Sequence, residues 1–135
     1  MESTQRFLAA KRISLLLFCS FYNIAGLNHF IHPSAYIPLI PPDFPVPRFI
    51  NFMSGVLEMA GGIMMIIPAT RKAAAWLIML LLIAFIPAHI YMIQMNGCVS
   101  AQLCVPAWVA WLRLLPLQFI LIWWAWKTFQ WNSGK

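Results

Sequence analysis

Glu58 is the residue on which the chemistry of this chain would turn. The chain holds three acidic side chains, Glu2, Asp43 and Glu58. Only Glu58 sits in an apolar stretch long enough to cross a bilayer, FINFMSGVLEMAGGIMMIIP from Phe49 to Pro68. A lone carboxylate there is costly, so it faces a protein interior or a wet cavity and has a partner. Asn51, Ser54, Gly55, Glu58 and Gly62 recur at steps of three and four, which is one stripe of a helix. Small residues on such a stripe let neighbouring helices approach closely. Arg113 is the obvious counter-charge, since each ion is costly alone and less so when paired. His29, Asn23, His89, Tyr91 and Gln118 lie in other apolar stretches and are further candidates for the same cavity. Two readings of this group stand open: an ion pair that holds the helices together, or a ligand or proton site.

Composition says what must position these residues. The chain has 135 residues, 62% hydrophobic and only 9% charged, against about 25% charged in soluble domains. This is the composition of an integral membrane protein. The net charge of +6 does not point to nucleic acid, because the basic residues flank apolar spans and act as topology signals. Four spans are expected, at about 13–30, 49–67, 73–94 and 107–129. The N-terminal run has no convincing small-residue cleavage site and continues for a full crossing, so it reads as a helix rather than a signal peptide. It carries Cys19, Tyr22, Asn23, Gly26 and His29 at helical spacing.

Between the first two spans lie Pro33, Pro38, Pro41, Pro42, Pro45 and Pro47. Proline lacks a backbone donor and restricts the residue before it, so no regular helix is expected there. Tyr36, Ile37, Leu39, Ile40, Phe44 and Val46 make the segment apolar, either as an interfacial connector or as a lid over the bundle mouth. In the third span Pro87 should leave the Ile83 carbonyl without its helix donor and kink the helix. The fourth holds Pro116 and ends in Trp123, Trp124, Trp126 and Trp131, which suits a membrane interface. The expected fold is all-α: a single domain, 1–135, forming an integral membrane four-helix bundle, up-down-up-down, with a proline-rich outer loop between helices 1 and 2.

Arg6, Lys11, Arg12, Arg71, Lys72, Lys127 and Lys135 fall on one side of these spans, while Arg48 and Arg113 fall on or toward the other. The positive-inside rule then places both termini and the 68–72 turn in the cytoplasm of a bacterial-type inner membrane. Glu58 and Arg113 come to a similar depth, roughly 10 Å below the outer surface. Asn23, His89 and His29 join them in the outer half. Cys98 and Cys104 fall in an outward loop, where oxidation is permitted. They could form a structural disulfide, stay as free thiols, or act as a redox pair, although the Cys-x-x-Cys spacing is lacking. His29 and His32 could share a helix face as metal ligands, but Pro33 follows at once and rim hydrogen bonding is the plainer reading, so no metal is expected. No nucleotide loop, serine triad or paired catalytic carboxylates occur in the sequence.

The chain resembles the DoxX-like family of small four-helix membrane proteins. The resemblance rests on Gly26-Leu27-Asn28-His29-Phe30, His32-Pro33, Tyr36, Pro41-Pro42, Pro45-Val46-Pro47, Asn51, Ser54-Gly55 and Glu58. It continues through Gly62, Pro68-Ala69-Thr70-Arg71, Ala74-Ala75-Trp76, Pro87-Ala88, Trp108, Trp111-Leu112-Arg113-Leu114 and Pro116-Leu117-Gln118. Relatives often have asparagine after Pro87-Ala88, where this chain has His89. The resemblance implies thiosulfate:quinone oxidoreduction, membrane complexes that handle oxidative stress, or maturation of disulfide-rich partners; distant relatives look like chaperones of membrane receptors. One expectation is therefore an oxidoreductase or redox accessory subunit whose outer cavity binds a quinone or other small amphiphile. The polar wall would be drawn from Glu58, Arg113, His89, His29, Asn23, Asn28, Asn51, Ser54, Tyr91 and Gln118. The alternative is a non-enzymatic assembly, chaperone or binding subunit that recognises a larger membrane protein.

Overall fold

The computed structural model describes residues 1–131; Lys135 lies outside them. The protein is mostly helical. Four helical spans are long and apolar enough to cross a membrane: Glu2–Ile31, Pro47–Ile66, Arg71–Gln94 and Ala107–Trp131. They make it a multi-pass membrane protein.

Helix α1 (Glu2–Ile31) begins well before the expected start near residue 13. Charge does not stop a helix, because lysine and arginine are good helix formers. Glu2 also sits in the first turn, where the helix dipole favours an acid, and accepts a 2.6 Å hydrogen bond from Arg6. At 1.5 Å per residue the 30 residues of α1 span about 45 Å, longer than a hydrocarbon core of about 30 Å. The charged turns thus extend past the apolar part of the span.

The proline segment departs from expectation. Pro33–Tyr36 forms a helical turn, α2, and Ile37–Leu39 a 3-10 turn. Proline fits the first turn of a helix because its missing N–H would have no partner there. The same device starts α3 (Pro47–Ile66) at Pro47. After α3, Thr70 Oγ1 donates to the Met64 carbonyl at 2.8 Å, and Arg71 donates to the Met65 and Ile66 carbonyls at 2.9 and 3.0 Å. These bonds satisfy the carbonyls that a helix end leaves open.

The third span breaks at Phe85 into α4 (Arg71–Ala84) and α5 (Ile86–Gln94), beside Pro87. Asn96 and Gly97 turn the chain with positive φ. The expected loop is a short antiparallel hairpin, β1 (Cys98–Ser100) with β2 (Leu103–Cys104), and a disulfide joins Cys98 to Cys104. The fourth span comprises α6 (Ala107–Leu112), a π-helical segment (Arg113–Leu117) and α7 (Gln118–Trp131). Pro116 lies inside the π segment. Its ring would press on the carbonyl four residues back in an α-helix, and it has no N–H to offer; one widened turn relieves both problems.

Lipid tails are as apolar as leucine, so close packing rather than the hydrophobic effect joins such helices. Helix α1 packs along α3, α3 on α4, and α4 on α7. A side chain on Gly26 would bring its Cβ within 2.6 Å of the Gly55 carbonyl oxygen, so the α1 and α3 backbones touch there. The core gathers Phe18, Tyr22, Met65, Ala74, Ala75, Ile78, Met79, Leu82 and Ala125. A smaller cluster around Leu39, Met92 and Ala110 ties the 3-10 turn to α5, α6 and the disulfide hairpin through Val99 and Leu103.

Candidate functional site

The close approach of Gly26 and Gly55 sets the register of the first half of the site. One turn further along α1, His29 meets α3. Its Nδ1–H donates to Asn51 Oδ1 at 2.8 Å, and Asn51 Nδ2 donates back to the His29 carbonyl at 3.0 Å. The amide thus grips both ring and backbone, and it fixes a proton on Nδ1. Nε2 then faces Glu58 Oε2 at 3.4 Å. Among the described residues that oxygen has no hydrogen-bond partner, and neither has the Tyr22 hydroxyl. Glu58 is 6% and Tyr22 2% exposed, so both are buried polar groups left open, which is costly unless a partner arrives. The Tyr22 hydroxyl is within electrostatic reach of Glu58.

Tyr36 lies over His29, with ring centroids 3.9 Å apart. Its hydroxyl accepts from Asn28 Nδ2 at 2.7 Å, and Asn28 Oδ1 accepts from His32 Nδ1 at 2.7 Å. The proline segment is anchored over the site through this chain.

The second half comes from the two broken helices. Gln118, the first residue of α7, donates through Nε2 to the Leu82 carbonyl near the end of α4. It also engages the side chain of His89. Arg113 starts the π segment, and its electrostatic neighbours are Tyr36 and His89. Among the described residues the acid–base contacts within 4 Å are Glu2–Arg6 and His29–Glu58, the second an ion pair only when His29 carries a second ring proton. The expected Glu58–Arg113 pair is therefore not formed. Matched depth says nothing of direction around the helix axis, and α3 turns Glu58 toward α1.

The two halves meet at one cavity of about 220 Å³. Its wall holds His29, Asn51, Ser54, Glu58, His89, Arg113 and Gln118, together with Tyr22 and Tyr36. The rest is apolar, with Phe21, Leu39, Ile40, Phe44, Leu82, Leu117 and Leu121. Three expected members are absent from this wall. Asn23 donates to the Cys19 carbonyl of its own helix at 2.8 Å and packs against Gly62. Asn28 acts one step back by holding Tyr36. Tyr91, on α5, lies outside the wall. Tyr22 and Tyr36 belong to the wall although the sequence does not mark them as cavity residues. The signal for Tyr22 was its place with Gly26 and His29 on the buried stripe of α1; Tyr36 had only its apolar surroundings.

Neither a curated protein nor a solved structure matches the chain. Residues 18–129 match the family described as Domain of unknown function (DUF8561). The matched stretch begins at core residue Phe18 and runs through all four spans, so it includes every polar residue of the cavity wall. The chain belongs to the DUF8561 family.

Proposed function

We propose that the cavity binds the polar ring of a small amphiphile, with a quinone or hydroquinone as the best fit, in a DoxX-like inner-membrane protein. The observation that carries this reading is the meeting, on one apolar-walled cavity, of Arg113, which has no acidic partner among the described residues, with the open Glu58–Tyr22–His29 group. Arg113 is half-buried, and a guanidinium in an apolar wall is best satisfied by an anion or a carbonyl oxygen. A carboxylate oxygen beside a phenol suits a hydroxyl that can both donate and accept. A quinone carbonyl accepts from the guanidinium, and the hydroquinone presents hydroxyls that can accept from it at one side and donate to the carboxylate at the other. An engineered cavity of about 150 Å³ takes benzene, so 220 Å³ suits one substituted ring.

The residues then have separate tasks. Arg113 and His89 meet a ring oxygen at one side. The Glu58–His29 pair carries a proton that it can give to, or take from, the other oxygen, and Asn51 keeps Nε2 turned toward the carboxylate. An up-down-up-down arrangement with both termini in the cytoplasm fits the crowding of basic residues with the aromatic rings of α7: Lys11 lies over Trp131 and Lys72 over Phe129. The positive-inside rule then turns the cavity and its proline cover toward the outer leaflet. The second reading is a non-enzymatic assembly or chaperone subunit; it is favoured by the exposed tryptophans Trp108, Trp111 and Trp123, which a partner helix could cover.

Mass spectrometry of protein purified in mild detergent tests the choice. The ring-binding reading predicts a co-purifying quinone or similar lipid that is depleted in Arg113→Met. Stable recovery of one larger membrane protein, with no small molecule retained by either form, would refute it in favour of assembly.

A further inference from the structure

The cavity wall includes residues that also face outward. Phe21 of α1 is 42% exposed and Leu117 of the π segment 40% exposed, yet both line the cavity. Each lies ten residues from the near end of its span, Ile31 or Ala107, which is about 15 Å along the helix axis at 1.5 Å per residue. The seam between α1 and α7 is held by side chains. Trp124 Nε1 donates to Ser14 Oγ at 2.9 Å, and the Trp124 ring meets Phe18 edge-on at 4.9 Å. Further along the seam, away from the Lys11–Trp131 end, the wall residues are Phe21 and Ala25 on one side and Leu117 and Leu121 on the other.

We propose that the cavity opens sideways into the bilayer between Phe21 and Leu117, and that its ligand is a membrane-dissolved lipid whose tail lies in this seam. The proposal rests on the ring-binding reading and adds the source and class of the ligand. A cavity of 220 Å³ is below the range of about 300–1,000 Å³ that drug-sized ligands fill, so ring and tail cannot both be inside. The tail must leave through an apolar gap. In the seam it exchanges lipid contacts for protein contacts of the same kind and exposes nothing to water. The proline segment adds Ile40, Pro41 and Phe44 to the cavity wall and is anchored by Tyr36 through Asn28.

The test uses the purified full chain in lipid nanodiscs with a decyl-tailed benzoquinone that carries a diazirine at the tail end. Irradiation and peptide mapping should find the label on Phe21, Ala25, Leu117 or Leu121, and excess unlabelled decyl quinone should remove it. Leu117→Trp should weaken binding of the decyl quinone, relative to the tail-free dimethoxy-methyl-benzoquinone, by about ten-fold or more. If Leu117→Trp misfolds, Ala25→Phe fills the same gap from the other side. Competed label on Ile40 or Phe44, with none in the seam, overturns the sideways route and leaves the ring site standing. Label on outward faces alone, unchanged by competition, overturns both. Competed seam label without binding of the tail-free ring upholds the lipid portal and removes the ring site.

Discussion

Asn51 holds His29 by both ends of its amide, and this one contact decides which way the imidazole faces. Asn51→Leu leaves a buried ring N–H and a buried carbonyl unmet, at about 1–3 kcal/mol per unsatisfied group. Its melting temperature in detergent should fall accordingly, and an unchanged value would mean that His29 finds another partner. Glu58→Gln and His29→Gln should be coupled in a double-mutant cycle by about 0.5–3 kcal/mol. The cycle of Glu58→Gln with Arg113→Met should come closer to additive, because those two side chains form no ion pair. A larger coupling for the second cycle than for the first would reverse the assignment of partners. At this scale the sequence is informative about burial: Asn51, Ser54, Gly55, Glu58 and Gly62 are all buried on one face of α3. It is poor at partners. Charge and depth select Arg113 for Glu58, whereas the actual neighbour depends on the rotation of α3 against α1, which spacing within one helix cannot give.

The α1–α3 seam is the element that makes the site possible. A Cβ at Gly26 would meet both the Gly55 carbonyl oxygen and Met59 Cγ at 2.6 Å. Backbone cannot yield, so Gly26→Val should push the helices apart, cost about 1–3 kcal/mol as overpacking, and draw His29 away from Asn51. Gly61→Ala meets only the side chains of Ile78 and Leu77, which can turn aside, so its melting temperature should fall less. Equal losses at the two positions would show that backbone contact is not what matters at Gly26. The disulfide hairpin makes a second prediction. Val99 and Leu103 pack in the cluster that holds Leu39 and Tyr36, so reducing Cys98–Cys104 should speed amide exchange through residues 37–44; exchange confined to the hairpin would show that it does not brace the cover. Four spans were legible from hydropathy because the bilayer sets their length. The helical turn at Pro33 was not, since proline opens a helix as readily as it ends one. The π segment was also hidden: Pro116 marks a fault, but whether the helix kinks or widens depends on what packs beside it.

The whole molecule combines a basic, aromatic end with a polar cavity near the other. Lys11, Lys72 and Lys127 lie over aromatic rings at 4.5–5.8 Å, and the cavity lies away from them, beneath the proline segment. A topology reporter in the 98–104 hairpin and another fused after α7 should report opposite sides of the membrane; the same side for both would break the up-down-up-down reading and the outer-leaflet placement with it. The central claim is that Arg113 and the His29–Glu58 group share one ligand. Equilibrium titration of decyl quinone into purified protein, read by tryptophan quenching, tests it most directly. The wild type should bind saturably, and Arg113→Met should bind about 10–100-fold more weakly, the loss of one hydrogen bond from a charged group at about 1.5–3 kcal/mol. Glu58→Gln should weaken the same saturable phase. Absence of saturable binding by the wild type, or equal affinity in wild type and both variants, would contradict the claim.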